Sequence, residues 1–407
     1  MKPDIKTALR NKGVQIPNPD AVYVSDSVNL DRISGENVTI YAGCKILGEK
    51  TLIMKNSSIG YEAPVTLENT LVGENTHLNG GFFKGAVFAG NNTVGLGAHV
   101  REGTIFEEQA SAAHTVGLKQ TILFPFVTLG SLINFCDCFM AGGTSRQDHS
   151  EVGSSFIHFN YTPNQDKATP SMMGNVHQGV MLDQHPIFLG GQGGLVGPVR
   201  IGYGCITAAG SIIRKNEPGQ DRLLLGGGLK PASVPRTCNV YTNISHIYHN
   251  NIDYIAGLIC LKAWYHHVRP CFVTDEFSRL LLDGMQETLD AGIAERIKRL
   301  AEWGEKLMLS RQSLPADPGH RRIQQHDQAI AAISDALQVF EKASMSDAVI
   351  DSDGAAFIQL IKERAQTESA DYITVIQGLR HGEKQMGSGW LYQMERKMTE
   401  QLILRQD

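Results

Sequence analysis

The 407 residues carry a formal net charge of −5 and are 42% hydrophobic, enough to fill about two or three packed domains. Acidic and basic residues are spread along the chain without a basic stripe, so nucleic acid is excluded as the expected partner. No run reaches the ~20 apolar residues needed to cross a membrane. The seven cysteines are odd in number and scattered, so they form no disulfide framework, and a cytoplasmic, non-membrane protein is expected.

The chain opens MKPDIKTALRNKG, with charges where a secretory signal would be apolar, and residues 1–30 read as an N-terminal arm. From residue 33 a six-residue period sets in: ISGENV, TIYAGC, KILGEK, TLIMKN, SSIGYE, APVTLE, NTLVGE, NTHLNG. It returns at residue 189 as LGGQGG, LVGPVR, IGYGCI, TAAGSI, where Leu189, Leu195, Ile201 and Ile213 share a phase and Thr207 is its polar exception. Of the 42 glycines, 32 precede residue 236. Short flat strands that turn a corner into one another, with aliphatic residues stacked inside and small residues at the corners, account for this period. A two-sheet sandwich explains glycines in turns but not their fixed spacing. The expected architecture is therefore a β-solenoid over residues 31–235.

Two stretches interrupt the repeat, GGTSRQDHSEVG (142–153) and HFNYTPNQDK (158–167), and predict a loop inserted at about 142–175. Cys136 and Cys138, in FCDCF, are too closely spaced for a zinc pair and have no second pair. They read as buried cysteines filling the solenoid, and no metal is expected.

After GGGLKPASVPR (226–236), a glycine and proline boundary, the apolar spacing becomes helical. Helices are predicted near 246–268, 275–311, 319–344, 354–379 and 388–405. Leu280, Leu281, Met285, Leu289, Ile293, Ile297, Leu300, Trp303 and Leu307 form an amphipathic stripe on the second. Residues 236–407 are thus an all-α domain without a catalytic motif, suited to oligomer contact, a lid or protein binding.

The hexapeptide pattern resembles that of left-handed parallel β-helix proteins, a family rich in acyltransferases that assemble as homotrimers with sites between subunits. The left hand comes from this resemblance, since general physics favours right-handed crossovers. More closely, VGLGAHVREG (94–103), GLKQTIL (117–123), the Asn-Tyr pair of the second inserted stretch and LVGPVRIGYGCITAAGSI (195–212) resemble the acetyltransferase half of bifunctional UDP-N-acetylglucosamine pyrophosphorylase/glucosamine-1-phosphate acetyltransferase. The likeness covers about residues 90–215.

The resemblance implies that Arg101 and Lys119 bind the phosphate and uridine end of a UDP-sugar or sugar phosphate. Their chemistry suits this, a guanidinium fork and a compact ammonium, and their separation of 18 residues is three hexapeptides, which returns both to one face. Two solvated surface cations are the plainer alternative. By resemblance Asn160, Tyr161 and Lys167 belong to a loop over the sugar and acyl-donor pockets, and Gly191 and Ala209 line a channel for acetyl-CoA or another acyl-CoA.

One departure matters. Amine acylation takes a base, a histidine in the family, and ungapped counting places Ser131 there, with Asn134 where a tyrosine follows. His149, His158 and His177 are the histidines that could substitute, His149 and His158 foremost, and each also reads as a structural or surface histidine. The expected function is a sugar-nucleotide or sugar-phosphate binding protein related to acyl-CoA-dependent amino-sugar N-acyltransferases. The alternative is a non-catalytic sugar-nucleotide-binding or scaffold protein. Pyrophosphorylase activity is not expected, because no nucleotidyltransferase domain precedes the solenoid.

Overall fold

The computed structural model describes residues 5–235, 237–314, 321–345 and 350–404. The period-six segment folds into a parallel β-solenoid of about 11 turns over residues 23–224, an architecture that fits the left-handed β-helix. One face is a ten-stranded parallel sheet whose inward column runs Ile40, Ile59, Leu78, Val94, Ala112, Leu129, Val152, Leu189, Thr207 and Leu224 in register. Thr207, the polar exception to the repeat, is buried and accepts a hydrogen bond from Gly190 N at 2.9 Å through its hydroxyl.

The other two faces belong to one 16-stranded sheet, joined where the strands Val116–Leu123 and Ile133–Met140 run through a corner without a break. Gln120 and Asp137 take the left-handed backbone there, at φ 51° and 57°. Elsewhere asparagine makes many of the corners: Asn37, Asn56, Asn75 and Asn91 all have positive φ, and Asn75 Nδ2 donates to Asn91 Oδ1 at 3.2 Å. Asparagine adopts this conformation more readily than other residues with a Cβ, and its amide adds a rung-to-rung hydrogen bond.

At the start of the solenoid a short helix α1 (Ile5–Lys12) buries Leu9 and places Lys12 Nζ on Leu30 O at 2.8 Å. Another short helix, α2 (Val176–Gly179), leaves the late coils with Asn175 as its N-cap. The C-terminal region is helical: α3 (Ile244–His267), α4 (Glu276–Gln312), α5 (Arg321–Met345), α6 (Ser352–Thr367), α7 (Tyr372–Gln377) and α8 (His381–Thr399). The helix expected over 354–379 is two, because the Asp371 carboxylate accepts Thr374 N at 2.8 Å and starts α7 afresh. The last begins at His381 instead of 388, where the Glu383 carboxylate turns back to Arg380 N at 2.7 Å.

Helix α4 lies against the strands Leu71–Val72, Ala86–Phe88 and Thr104–Phe106 of the larger sheet. A Cβ at Gly284 would come within 2.1 Å of the Leu71 side chain, so the missing side chain sets how closely helix and sheet approach. Most of the predicted stripe is buried and only Leu280 and Ile297 are partly so; Leu289, Ile293, Leu300 and Leu307 each contribute roughly 1.5–3 kcal/mol of transfer free energy. Helix α3 packs between α4, α5 and α8 with Leu261, Trp264 and Tyr265 inaccessible. Among the described residues no helix is long and apolar enough to cross a membrane.

Candidate ligand-binding site

At the corner formed by Gln120 and Asp137, a cavity of about 280 Å³ opens between the solenoid, the inserted loop and α4. Arg101 and Lys119 both line it. The strand register explains this: His99 pairs with Gly117 and Val100 with Leu118, so the next residues along, Arg101 and Lys119, fall on adjacent rungs. Gly103, just beyond, turns the corner at φ 78°, and a Cβ there would run into the Gln120 side chain at 2.4 Å. Lys119 in turn pairs with Cys136, which with Asn134 continues the cavity wall on the rung above.

The loop supplies the opposite rim with Asn160, Tyr161 and Lys167. Its shape is fixed locally, Thr162 Oγ1 donating to Asp166 Oδ2 at 2.6 Å and Thr169 Oγ1 to Asn160 O at 2.6 Å. Its outer side is tied to the helical region. Tyr241 donates its hydroxyl to Asp166 at 2.7 Å, Asn251 of α3 donates to Ala168 O at 3.0 Å, and Lys306 of α4 holds the carbonyls of Asn164 and Gln165.

Two acids also face the cavity, Asp137 and Glu295, and each is matched by a cation of α4. Asp137 Oδ1 meets Arg296 at 2.9 Å with 6% and 2% of the side chains exposed, and its Oδ2 accepts from Asn160 Nδ2. Glu295 pairs with Arg299 at 2.7 Å. Arg101, Lys119 and Lys167, by contrast, make no ion pair with any described residue, and Arg101 Nε is buried without a protein partner. The site is thus a small polar pocket with three cations outside any ion pair among the described residues, in which burial pushes the Cys136 thiol up against the opposing pull of Arg101.

The two histidines lie elsewhere. His158 alternates inward between Ile157 and Phe159 and is 2% exposed. Its ring nitrogens are both engaged, Nδ1 with Cys136 O at 2.6 Å and Nε2 with Ser171 Oγ at 2.7 Å, and burial pushes its pKa down. This is a satisfied core histidine that does not line the cavity. His149 sits beside the ten-stranded sheet, its Nδ1 on Arg146 O at 2.9 Å and its Nε2 3.8 Å from Glu151, and does not line the cavity. Ser131 N donates to Ser154 Oγ at 3.2 Å at another corner. Gly191 and Ala209 stand at that same other corner, where Gly210 N donates to Gly191 O at 2.9 Å, away from the cation cavity.

Reading the sequence missed Asp137, Glu295 and Arg296. A signal existed for Arg296, which falls in the apolar stripe between Ile293 and Leu300 where a charge demands a buried partner. Cys136 and Cys138 were expected to fill the solenoid together, but the corner at Asp137 separates them: Cys136 reaches the cavity wall and Cys138 is fully buried. Among the described residues no cluster of three or more His, Cys, Asp or Glu side chains is placed to hold a metal.

The class these observations define is a parallel β-solenoid with a cation-lined pocket walled by a helical region. Half of the chain is similar to curated proteins named bifunctional protein GlmU. That of Thermosipho melanesiensis is 29% identical over 215 residues, 53% of this chain and 42% of the relative. Those of Thermotoga maritima and Clavibacter sepedonicus are each 28% identical, over 52% and 51% of this chain and 42% and 37% of the relatives. The chain spans about two fifths of the length of these relatives. No protein-family model matches it.

Proposed function

We propose that the pocket binds the phosphate end of a sugar nucleotide or sugar phosphate, with Arg101, Lys119 and Lys167 on the phosphate oxygens and Asn160 and Tyr161 beside the sugar. The observation that carries this reading is an excess of cations: of the two acids in the wall Asp137 has both oxygens engaged and Glu295 has one on Arg299, while Arg101, Lys119 and Lys167 line the cavity outside any ion pair among the described residues. Similarity to GlmU proteins supports it at the level of sugar-nucleotide and acyltransferase-related function.

A non-catalytic binding role has its own observation in favour, since neither His149 nor His158 reaches the pocket. Acyl-CoA use rests on the resemblance. The corner of Gly191 and Ala209 is open at Gly210, where a Cβ would meet nothing within 4 Å, but tight at Gly191, where it would meet Ser154 O at 3.0 Å; it does not adjoin the cation pocket, and no transfer step is derived from it. A homotrimer is likewise proposed by resemblance, with Phe188, Ile206 and Leu223, an exposed apolar column in register on the ten-stranded sheet, as the surface available to a second chain. Sedimentation velocity reads this directly, and a single one-chain species removes it.

Calorimetric titration of the full chain with a UDP-sugar and a sugar phosphate tests the pocket. Arg101→Ala and Lys119→Ala should each weaken binding about tenfold or more, as for a lost charge-assisted hydrogen bond. Unchanged affinity in both variants overturns the assignment.

A further inference from the structure

The acids of the pocket are not equivalent. Asp137 is spent, with one oxygen on Arg296 and the other on Asn160. Glu295 is not: Arg299 takes Oε1, and Oε2 has no hydrogen-bond partner among the described residues, on a side chain that is 23% exposed. One open carboxylate oxygen therefore stands on the helical wall of a cavity whose solenoid wall and loop carry three open cations. A bare anion on the cations does not engage that oxygen, which is left to solvent. A ligand with an anionic end and a donor end satisfies both walls at once.

We propose that Glu295 is a specificity-determining residue of this pocket. Its Oε2 accepts a hydrogen bond from a hydroxyl or ammonium group of a ligand whose phosphate rests on Arg101, Lys119 and Lys167, and it repels a ligand that brings a second carboxylate to the same place. The inference rests on the phosphate-binding reading above and assigns to the helical region a part in choosing the ligand. Helix α4 brings the group in cis: Glu295 precedes Arg296, whose pair with Asp137 locks the helix on the corner, and Arg296 Nη1 also reaches Lys167 O at 3.4 Å.

The test is calorimetry of the full chain and of Glu295→Gln with inorganic phosphate, a hexosamine 1-phosphate and a hexuronic acid 1-phosphate. In Glu295→Gln the hexosamine phosphate should bind about tenfold more weakly, the hexuronic acid phosphate more tightly, and phosphate itself within about twofold of the unaltered protein. Glu295→Asp, which keeps the charge but withdraws it by one methylene, should lie between and serves as the second variant. Equal changes for all three ligands, or no change for any, overturn the proposal and reduce Glu295 to a structural partner of Arg299. A protein that binds the hexosamine phosphate in an Arg101-dependent but Glu295-independent way overturns this inference alone. Failure of the unaltered protein to bind any of the three removes the phosphate reading and this one together.

Discussion

Arg296 and Asp137 meet at 2.9 Å with almost nothing of either side chain exposed, so neither charge has water to fall back on. Removing one member of such a pair strands the other, at a cost of roughly 3–5 kcal/mol, whereas removing both charges together costs far less. Arg296→Met should therefore lower the urea midpoint strongly, and adding Asp137→Asn should restore part of the loss. Asparagine tolerates the left-handed backbone at this corner and can still bond Asn160. If the double variant is no more stable than Arg296→Met, the pair is not what holds α4 to the corner. At this scale much of the site was readable, because the 18-residue step from Arg101 to Lys119 is one coil. Inward alternation between Ile157 and Phe159 makes His158 a core residue, a local signal that the reading of it as a candidate base passed over. Glu295 and Arg296 were hidden by distance along the chain, since no local pattern says which strand a helix 128 residues beyond Lys167 will touch.

Elements were legible wherever one periodicity governs. The six-residue repeat follows from the single inward position on each short strand, and the α4 stripe from the face it lays on the solenoid. Corners were harder to read, because glycine was taken as their signature while asparagine makes a whole series of them. In that series a side chain does two jobs, tolerating positive φ and bonding the next rung. Asn75, at φ 54°, shows the combination, and replacing it separates the two. Asn75→Ala should cost about 1–2 kcal/mol for the left-handed backbone, with the lost amide contact added. Asn75→Gly removes the same contact but relieves the backbone, and should be clearly less destabilising in thermal melts. Equal losses in the two variants would falsify a conformational origin for the corner asparagines. The split between α6 and α7 shows the opposite limit: Ser369, Ala370 and Asp371 do not break an apolar pattern, and only the capping role of Asp371 ends the run.

Across the whole molecule, solenoid and helices are joined at a buried carboxyl. Glu107 is 2% exposed beside the corner of Asn92 and Ala110 and receives the Tyr265 hydroxyl of α3, while its neighbour Glu108 holds Arg269 at 2.6 Å and Arg269 stacks 3.9 Å over the Tyr372 ring of α7. Loss of water outweighs the nearby guanidinium and pushes Glu107 up to about 7 from 4.5. The folded protein then keeps a proton that the unfolded chain releases above about pH 4.5, so unfolding sheds protons and this group's contribution to stability falls as pH rises through about 7. His158 acts the other way, its lowered pKa making stability rise with pH up to its ordinary 6.5, so the native curve alone mixes the two. Comparison with Glu107→Gln separates them, because the amide still accepts from Tyr265 but cannot ionise. Between pH 5 and pH 8 the unaltered protein should lose on the order of 3 kcal/mol relative to the variant. Urea unfolding followed by tryptophan fluorescence reports on this joint, since Trp264, Trp303 and Trp390 all lie in the helical region. Parallel pH profiles for the two proteins would mean that Glu107 is ionised in the fold and that Arg269, not a shared proton, neutralises the joint.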